Sequence, residues 1–124
     1  MPKILVVDDS PTMRRMVIAS LDELQDVSFD QAGSGLEAIE RLALTPVNLM
    51  VLDLNMPDLH GMEVIKFVRQ HNAYRKVPII VLTTKGDEAS RADALAAGAS
   101  LYMTKPFGPA TLCKHVCELL EAQS

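Results

Sequence analysis

Four short stretches of the sequence carry side chains that could take part in chemistry, and each follows an apolar run. Ile4-Leu5-Val6-Val7 ends at Asp8-Asp9, the run Val47 to Leu52 ends at Asp53, Val77 to Leu82 ends at Thr83, and Ala99 to Met103 stops just short of Lys105. If the three acids met, ionised pairs about 5 Å apart would repel by roughly 3 kcal/mol each at an effective dielectric near 20. Three such pairs approach ~10 kcal/mol, comparable with the ~5–15 kcal/mol that stabilises a whole domain. The acids must therefore protonate, splay apart or hold a cation. Hard oxygen ligands without a histidine or thiolate beside them favour Mg²⁺ over Zn²⁺. Mg²⁺ keeps several waters and completes its shell with phosphate oxygens, so a phosphoryl group is the expected guest. Lys105 would bring positive charge to one phosphoryl oxygen and Thr83 a hydroxyl to another. A carboxylate at the centre could act as nucleophile through an acyl phosphate.

These residues converge only if the apolar runs are strands of one sheet. Runs that are apolar at every position read as strands buried on both faces. Helical patterns separate them. Ser10 can cap a helix with Pro11 at its first position, followed by Met13, Met16, Val17, Leu21 and Leu24. The weakly alternating Val27 to Ala32 precedes the capping-box signature Ser34-Gly35-Leu36-Glu37 and a helix with Leu36, Ile39, Leu42 and Ala43. Asn55, Pro57 and Gly61 mark a loop ahead of Met62, Ile65 and Val68. The next helix presents Ala89, Ala92, Leu95 and Ala96 and closes at Gly98, the expected C-cap; the last presents Leu112, Val116, Leu119 and Leu120. Five strand–helix units predict an α/β fold, a five-stranded parallel sheet with helices on both faces joined by right-handed crossovers. In such sheets ligands bind beyond the carboxyl ends of the strands, where Asp8, Asp9, Asp53, Thr83 and Lys105 fall.

The chain has 124 residues, 48% of them hydrophobic, which predicts one domain over residues 1–124 that buries a core without disulfides or structural metal. No separate output domain is expected. Lys and Arg total 12 against 16 Asp and Glu, a net charge of -4 that argues against binding nucleic acid or anionic membranes. No apolar run approaches the ~20 residues that span a bilayer, and the first is too short for a signal peptide, so the cytoplasm is the expected compartment. Cys113 and Cys117, four apart on a helix, read as packed thiols. His60, His71 and His115 read as surface or packing residues, and the methionines as core filler.

Lys3-Ile4-Leu5-Val6-Val7-Asp8-Asp9-Ser10, Asp53-Leu54-Asn55-Met56-Pro57 with Gly61, Thr83-Thr84, Gly98-Ala99 with Tyr102, and Lys105-Pro106-Phe107 follow one another at compatible spacing over nearly the whole chain. In these segments the sequence resembles the receiver domain of two-component response regulators. The resemblance implies a flavodoxin-like fold with strand order 2-1-3-4-5, and a monomeric signalling switch rather than a turnover enzyme. It implies that Asp53 accepts a phosphoryl group from a phosphohistidine on a partner histidine kinase. Asp9 and Asp53 would bind Mg²⁺ directly, with the backbone carbonyl of Asn55 as third protein ligand and Asp8 assisting through water, while Lys105 contacts the phosphoryl group. The Thr83 hydroxyl would then swing toward the new oxygens as Tyr102 turns inward. An output partner would read the changed face of the fourth helix, fifth strand and fifth helix, for which Ala89, Arg91, Tyr102, Pro109 and Leu112 are candidates. Ser10-Pro11-Thr12-Met13-Arg14 and Lys105-Pro106-Phe107 with Ala110-Thr111-Leu112 look most like the single-domain chemotaxis regulators that bind the flagellar motor switch. Thr84 and Lys85, beside the site, bear on access for a phosphatase and on the lifetime of the phosphorylated form.

Other classes compete for the same residues. Free-standing receivers also serve phosphorelays and developmental pathways. A Mg²⁺-dependent aspartyl-phosphate phosphatase would want a second acid two residues beyond its nucleophile, where this chain has Asn55. A flavin-mononucleotide carrier would need phosphate-binding donors after the first strand, and Asp8-Asp9 would repel that phosphate.

Overall fold

The computed structural model describes residues 2–56 and 58–122. Strands and helices alternate: β1 (Lys3–Val7), α1 (Pro11–Ser20), β2 (Ser28–Ala32), α2 (Gly35–Leu44), β3 (Leu49–Leu52), α3 (Gly61–Gln70), β4 (Ile79–Thr83), α4 (Glu88–Ala97), β5 (Leu101–Thr104) and α5 (Pro109–Glu121). The strands form one parallel sheet in the order β2-β1-β3-β4-β5, as expected. Alternate strand residues feed two cores. Leu5, Val7, Met50, Leu52, Ile79 and Val81 pack with Ala38 and Leu42 of α2, Val64, Ile65 and Val68 of α3 and Ala94 of α4. On the opposite face Ile4, Val6, Leu49, Val51, Ile80 and Leu82 pack with Val17 and Leu21 at α1 and with Leu112, Cys113 and Val116 of α5. Among the described residues no helix is long and apolar enough to cross a membrane.

The local signals act largely as their chemistry dictates. Ser10 Oγ accepts the Met13 N–H at 3.2 Å, and Ser34 Oγ accepts the Glu37 N–H at 3.1 Å. The Glu37 carboxylate reaches past Ser34 and accepts the N–H of Gly33 at 2.6 Å, so the box closes one residue earlier than its usual form. Gly98 ends α4 at φ 121, where a β-carbon is strained, and its N–H reaches the Ala94 and Leu95 carbonyls.

The edge strand β2 (Ser-Phe-Asp-Gln-Ala), the weakly alternating segment of the sequence, is partly buried from Ser28 to Asp30, exposed at Gln31 and buried at Ala32, and it has a neighbouring strand on one side only. Expectations about the helices need correction. The small-residue stripe of α4 is turned: Ala94 faces the sheet, while Ala89, Ala92 and Ala96 face solvent. Leu112 is not on a recognition surface. It is fully buried, because with Cys113 and Val116 it forms the stripe that seats α5 on the sheet.

Candidate functional site

The sheet register brings the strand ends level. Val7 lies opposite Leu52 and Ala32, Leu52 opposite Val81, and Thr83 opposite Thr104. Beyond these pairs the ladder is extended by the Asp8 N–H to the Ala32 carbonyl at 3.1 Å, the Asp53 N–H to Val7 at 3.0 Å and the Lys105 N–H to Thr83 at 2.8 Å. Main-chain hydrogen bonds thus fix the base of Asp8, Asp53 and Lys105.

The acids do meet. Asp8, Asp9 and Asp53 each place a carboxylate oxygen within 4.8 Å of the others. Asp8 and Asp53 are 4% and 5% exposed, while Asp9 faces solvent, so the cluster has a buried floor and an open side. Lys105 Nζ donates to Asp8 Oδ2 at 2.8 Å and lies 3.7 Å from Asp53 Oδ2. The other Asp8 oxygen accepts the Ser10 N–H at 2.9 Å. Burial pushes the Asp53 carboxyl above its ordinary range; Lys105, the Asn55 N–H at 3.3 Å and the Thr83 hydroxyl oppose this, and the Asp8 charge adds to it. A carboxylate whose charged form is penalised by burial gains from a cation beside it, which makes Asp53 a fitting ligand for one. Three hard oxygen donors at this separation, with no imidazole or thiolate among them, fit Mg²⁺.

Thr83 is fully buried at the end of β4, and its Oγ1 accepts the Lys85 N–H at 3.4 Å. Tyr102, on β5, is partly buried and donates its hydroxyl hydrogen bond to the Lys85 carbonyl. Asn55 is exposed on the loop between β3 and α3. The structure therefore brings Asp8, Asp9, Asp53, Lys105 and Thr83 together, with Asn55 beside Asp53 and Tyr102 joined to the group through Lys85. Of the recognition-face candidates, Ala89, Arg91 and Pro109 are exposed.

Sequence reasoning assigns no role to Arg14 or Asp58, yet both touch the site's frame. Arg14 donates to the Asp8 carbonyl at 2.6 Å and to Gln31 Oε1 at 3.0 Å, tying the end of β1 to the edge strand. Its signal is its place four residues past the Ser10 cap, since side chains in a first turn lean back toward the helix start. Asp58 bonds to the first amides of α2, a contact visible only once that helix is placed. The remaining candidates behave as packing residues. His60 Nδ1 caps α3 through the Met62 N–H, His71 stacks on Tyr74 at 4.2 Å, and His115 lies 3.3 Å from Glu118. Both cysteines are free thiols, Cys113 buried and Cys117 partly so.

Known proteins resemble this chain in sequence and fold. The sequence profile described as the response regulator receiver domain matches residues 4–117. Chemotaxis protein CheY1 of Helicobacter pylori strain J99 is 41% identical over 111 residues, which cover 89% of this chain and 90% of that protein. The transcriptional regulatory protein ResD of Bacillus subtilis strain 168 is 40% identical over 122 residues, 98% of this chain and 49% of that protein. The solved structure of the chemotaxis response regulator CheY4 of Vibrio cholerae superposes with a TM-score of 0.86 at 34% identity, covering 96% of this chain and 98% of that one. Because the profile spans every strand end that carries the cluster, fold, geometry and sequence agree that this chain belongs to the response regulator receiver domain family.

Proposed function

We propose that the chain is a phosphorylation-activated switch of a two-component system, working in the cytoplasm as a single receiver domain and a monomer. The observation that carries this reading is the approach of Asp8, Asp9 and Asp53 to within 4.8 Å beside Lys105. Asp9, Asp53 and the Asn55 carbonyl, with Asp8 assisting, would hold Mg²⁺, which would supply positive charge against the acids and the incoming phosphoryl oxygens. Asp53 is the acceptor: a P–O bond forms to its carboxylate as the P–N bond to a histidine kinase's phosphohistidine breaks, and the imidazole stays with the kinase. Lys105, already 3.7 Å from Asp53, contacts the new oxygens from its present place, and the Thr83 hydroxyl turns to meet them. The added charge of about -1.5 to -2 biases two packings of the loop after β4 and of Tyr102, and so the α4, β5 and α5 face that an output partner reads. The chain assists its own modification without being a turnover enzyme.

Chemotaxis, with the flagellar motor switch as output partner, is the pathway favoured by the likeness to chemotaxis proteins over most of both chains. A second reading, a free-standing receiver in a phosphorelay or developmental pathway, draws on the nearly equal identity to about half the length of a transcriptional regulatory protein. Intact-mass spectrometry with Mg²⁺ and a small-molecule phosphodonor tests the common core. One phosphoryl group mapping to Asp53 and absent from Asp53→Asn is expected, and labelling that persists in the variant would name another acceptor. Steady hydrolysis of phosphate esters would favour the phosphatase reading instead. Tighter binding of the phosphorylated form to a motor-switch peptide separates chemotaxis from the relay.

A further inference from the structure

The loop between β3 and α3 carries Asp53 at its start and Asn55 two residues on, yet Asn55 is exposed and its N–H turns back to the Asp53 carboxylate. What holds the far part of this loop lies in another element. Asp58 Oδ1 accepts the N–H of Gly35 and Oδ2 the N–H of Leu36, both at 3.2 Å, across more than twenty residues of chain. These are the first amides of α2, donors that no intrahelical carbonyl can satisfy. The contact is close as well as polar: a β-carbon at Gly35 would stand 2.7 Å from Leu59 Cβ and from the Leu59 carbonyl oxygen. At its end the loop is pressed against its own beginning, since a β-carbon at Gly61 would stand 2.7 Å from the Asp53 carbonyl oxygen and from Leu54 Cα. The loop is thus fastened at both ends of the stretch that bears Asn55. Partial desolvation raises the Asp58 pKa, but hydrogen bonds from the Leu59, Leu36 and Gly35 amides and the Ser34 hydroxyl outweigh it, so the carboxyl lies below the ordinary range and stays charged against the helix start.

We propose that Asp58 is a positioning residue for metal binding: by clamping the acceptor loop onto the start of α2, it sets where the Asn55 backbone stands relative to Asp53. The inference rests on the reading of Asp53 and Asn55 as ligands. Asp58 is exposed and belongs to neither core, so its substitution leaves the fold in place. A ligand whose supporting bond is lost must be ordered by the ion itself, at a cost in affinity.

The test is titration calorimetry of Mg²⁺ into the unaltered protein, Asp58→Ala and Asp58→Asn, with thermal unfolding in chelator and phosphorylation rates across Mg²⁺ concentration. The expected result is a dissociation constant raised roughly tenfold in Asp58→Ala, the lower end for partners that orient metal ligands. Asp58→Asn, which keeps one acceptor oxygen, should fall between. The maximal phosphorylation rate at saturating Mg²⁺ should return to within about twofold of the unaltered protein, because only uptake of the ion is weakened. A lower melting temperature with an unchanged dissociation constant would overturn the proposal and leave Asp58 a cap for α2. No Mg²⁺ uptake by the unaltered protein would overturn the metal-site reading itself, and the proposal with it.

Discussion

Thr83 and Tyr102 are joined through the backbone of a single residue: Lys85 donates its N–H to Thr83 Oγ1 at 3.4 Å and accepts the Tyr102 hydroxyl with its carbonyl. The two side chains stand on adjacent strands, β4 and β5, and Lys85 lies in the loop that leads into α4. A turn of the Thr83 hydroxyl toward Asp53 alters what the Lys85 N–H can reach, and the same backbone carries Tyr102's acceptor. Tyr102→Phe keeps the ring and removes the bond. It should cost about 0.5–1.5 kcal/mol and speed amide exchange across residues 84–87. Exchange there at the unaltered rate would mean that the contact does not hold the loop.

Lys105 supplies the positive charge seen beside the two buried acids, bonded to Asp8 and 3.7 Å from Asp53. Its side chain is 11% exposed and theirs 6%, so removing it leaves two nearly dry carboxylates facing one another. Lys105→Ala should destabilise the protein in chelator by roughly 2–4 kcal/mol, toward the low side for a broken buried pair. Mg²⁺ bound by the same carboxylates would neutralise them and should restore most of the loss, with affinity for the ion no weaker than before. Equal destabilisation with and without Mg²⁺ would show that Lys105 acts through packing of its stem.

The legible and illegible parts of the sequence differ for physical reasons. The inner strands could be read because Val6-Val7, Val51-Leu52 and Val81-Leu82 are apolar at every position, and a polar residue at the end of such a run has little choice of place in a parallel sheet. Helix faces were harder. In α4 an alanine-rich turn has little contrast between its sides, so Ala94 could not be told from Ala92 or Ala96. Leu36 reads as core from its spacing yet is 56% exposed, because the close seat of Gly35 against Leu59 fixes the rotation of α2. Asp58 and Arg14 act on backbone groups of distant elements, and no spacing rule reports such contacts.

Asp53 is held above its ordinary pKa first by burial, and the sign of its effect on stability follows. The folded protein binds this proton more tightly than the unfolded chain, whose value is 3.8. Its stabilising contribution is therefore complete below that pH and is lost as pH rises through the folded value. At neutral pH without Mg²⁺, Asp53→Asn should be more stable than the unaltered protein, with a higher Tm. The gain should vanish below the unfolded value. Added Mg²⁺ should reverse the order, since it stabilises only the form that binds it. Identical melting of the two proteins at neutral pH in chelator would remove the burial penalty.

Gly61 sets the spacing between α3 and Asp53. A β-carbon there would stand 2.7 Å from the Asp53 carbonyl oxygen and from Leu54 Cα, both backbone atoms with no rotamer by which to yield. The Gly61 N–H also donates to the Leu54 carbonyl at 3.1 Å, so the helix cannot back away without giving up that bond. In Gly61→Ala either α3 shifts outward or the Asp53 main chain is pushed away from α3, and both disturb a carboxylate placed by main-chain bonds. A loss of about 1–3 kcal/mol is expected, as for other overpacked positions. It should come with slower phosphorylation at every Mg²⁺ concentration, because here Asp53, the proposed acceptor, is itself displaced and saturation with metal would not restore it. Rates that recover fully at high Mg²⁺ would show that the strain is absorbed by α3 and never reaches Asp53.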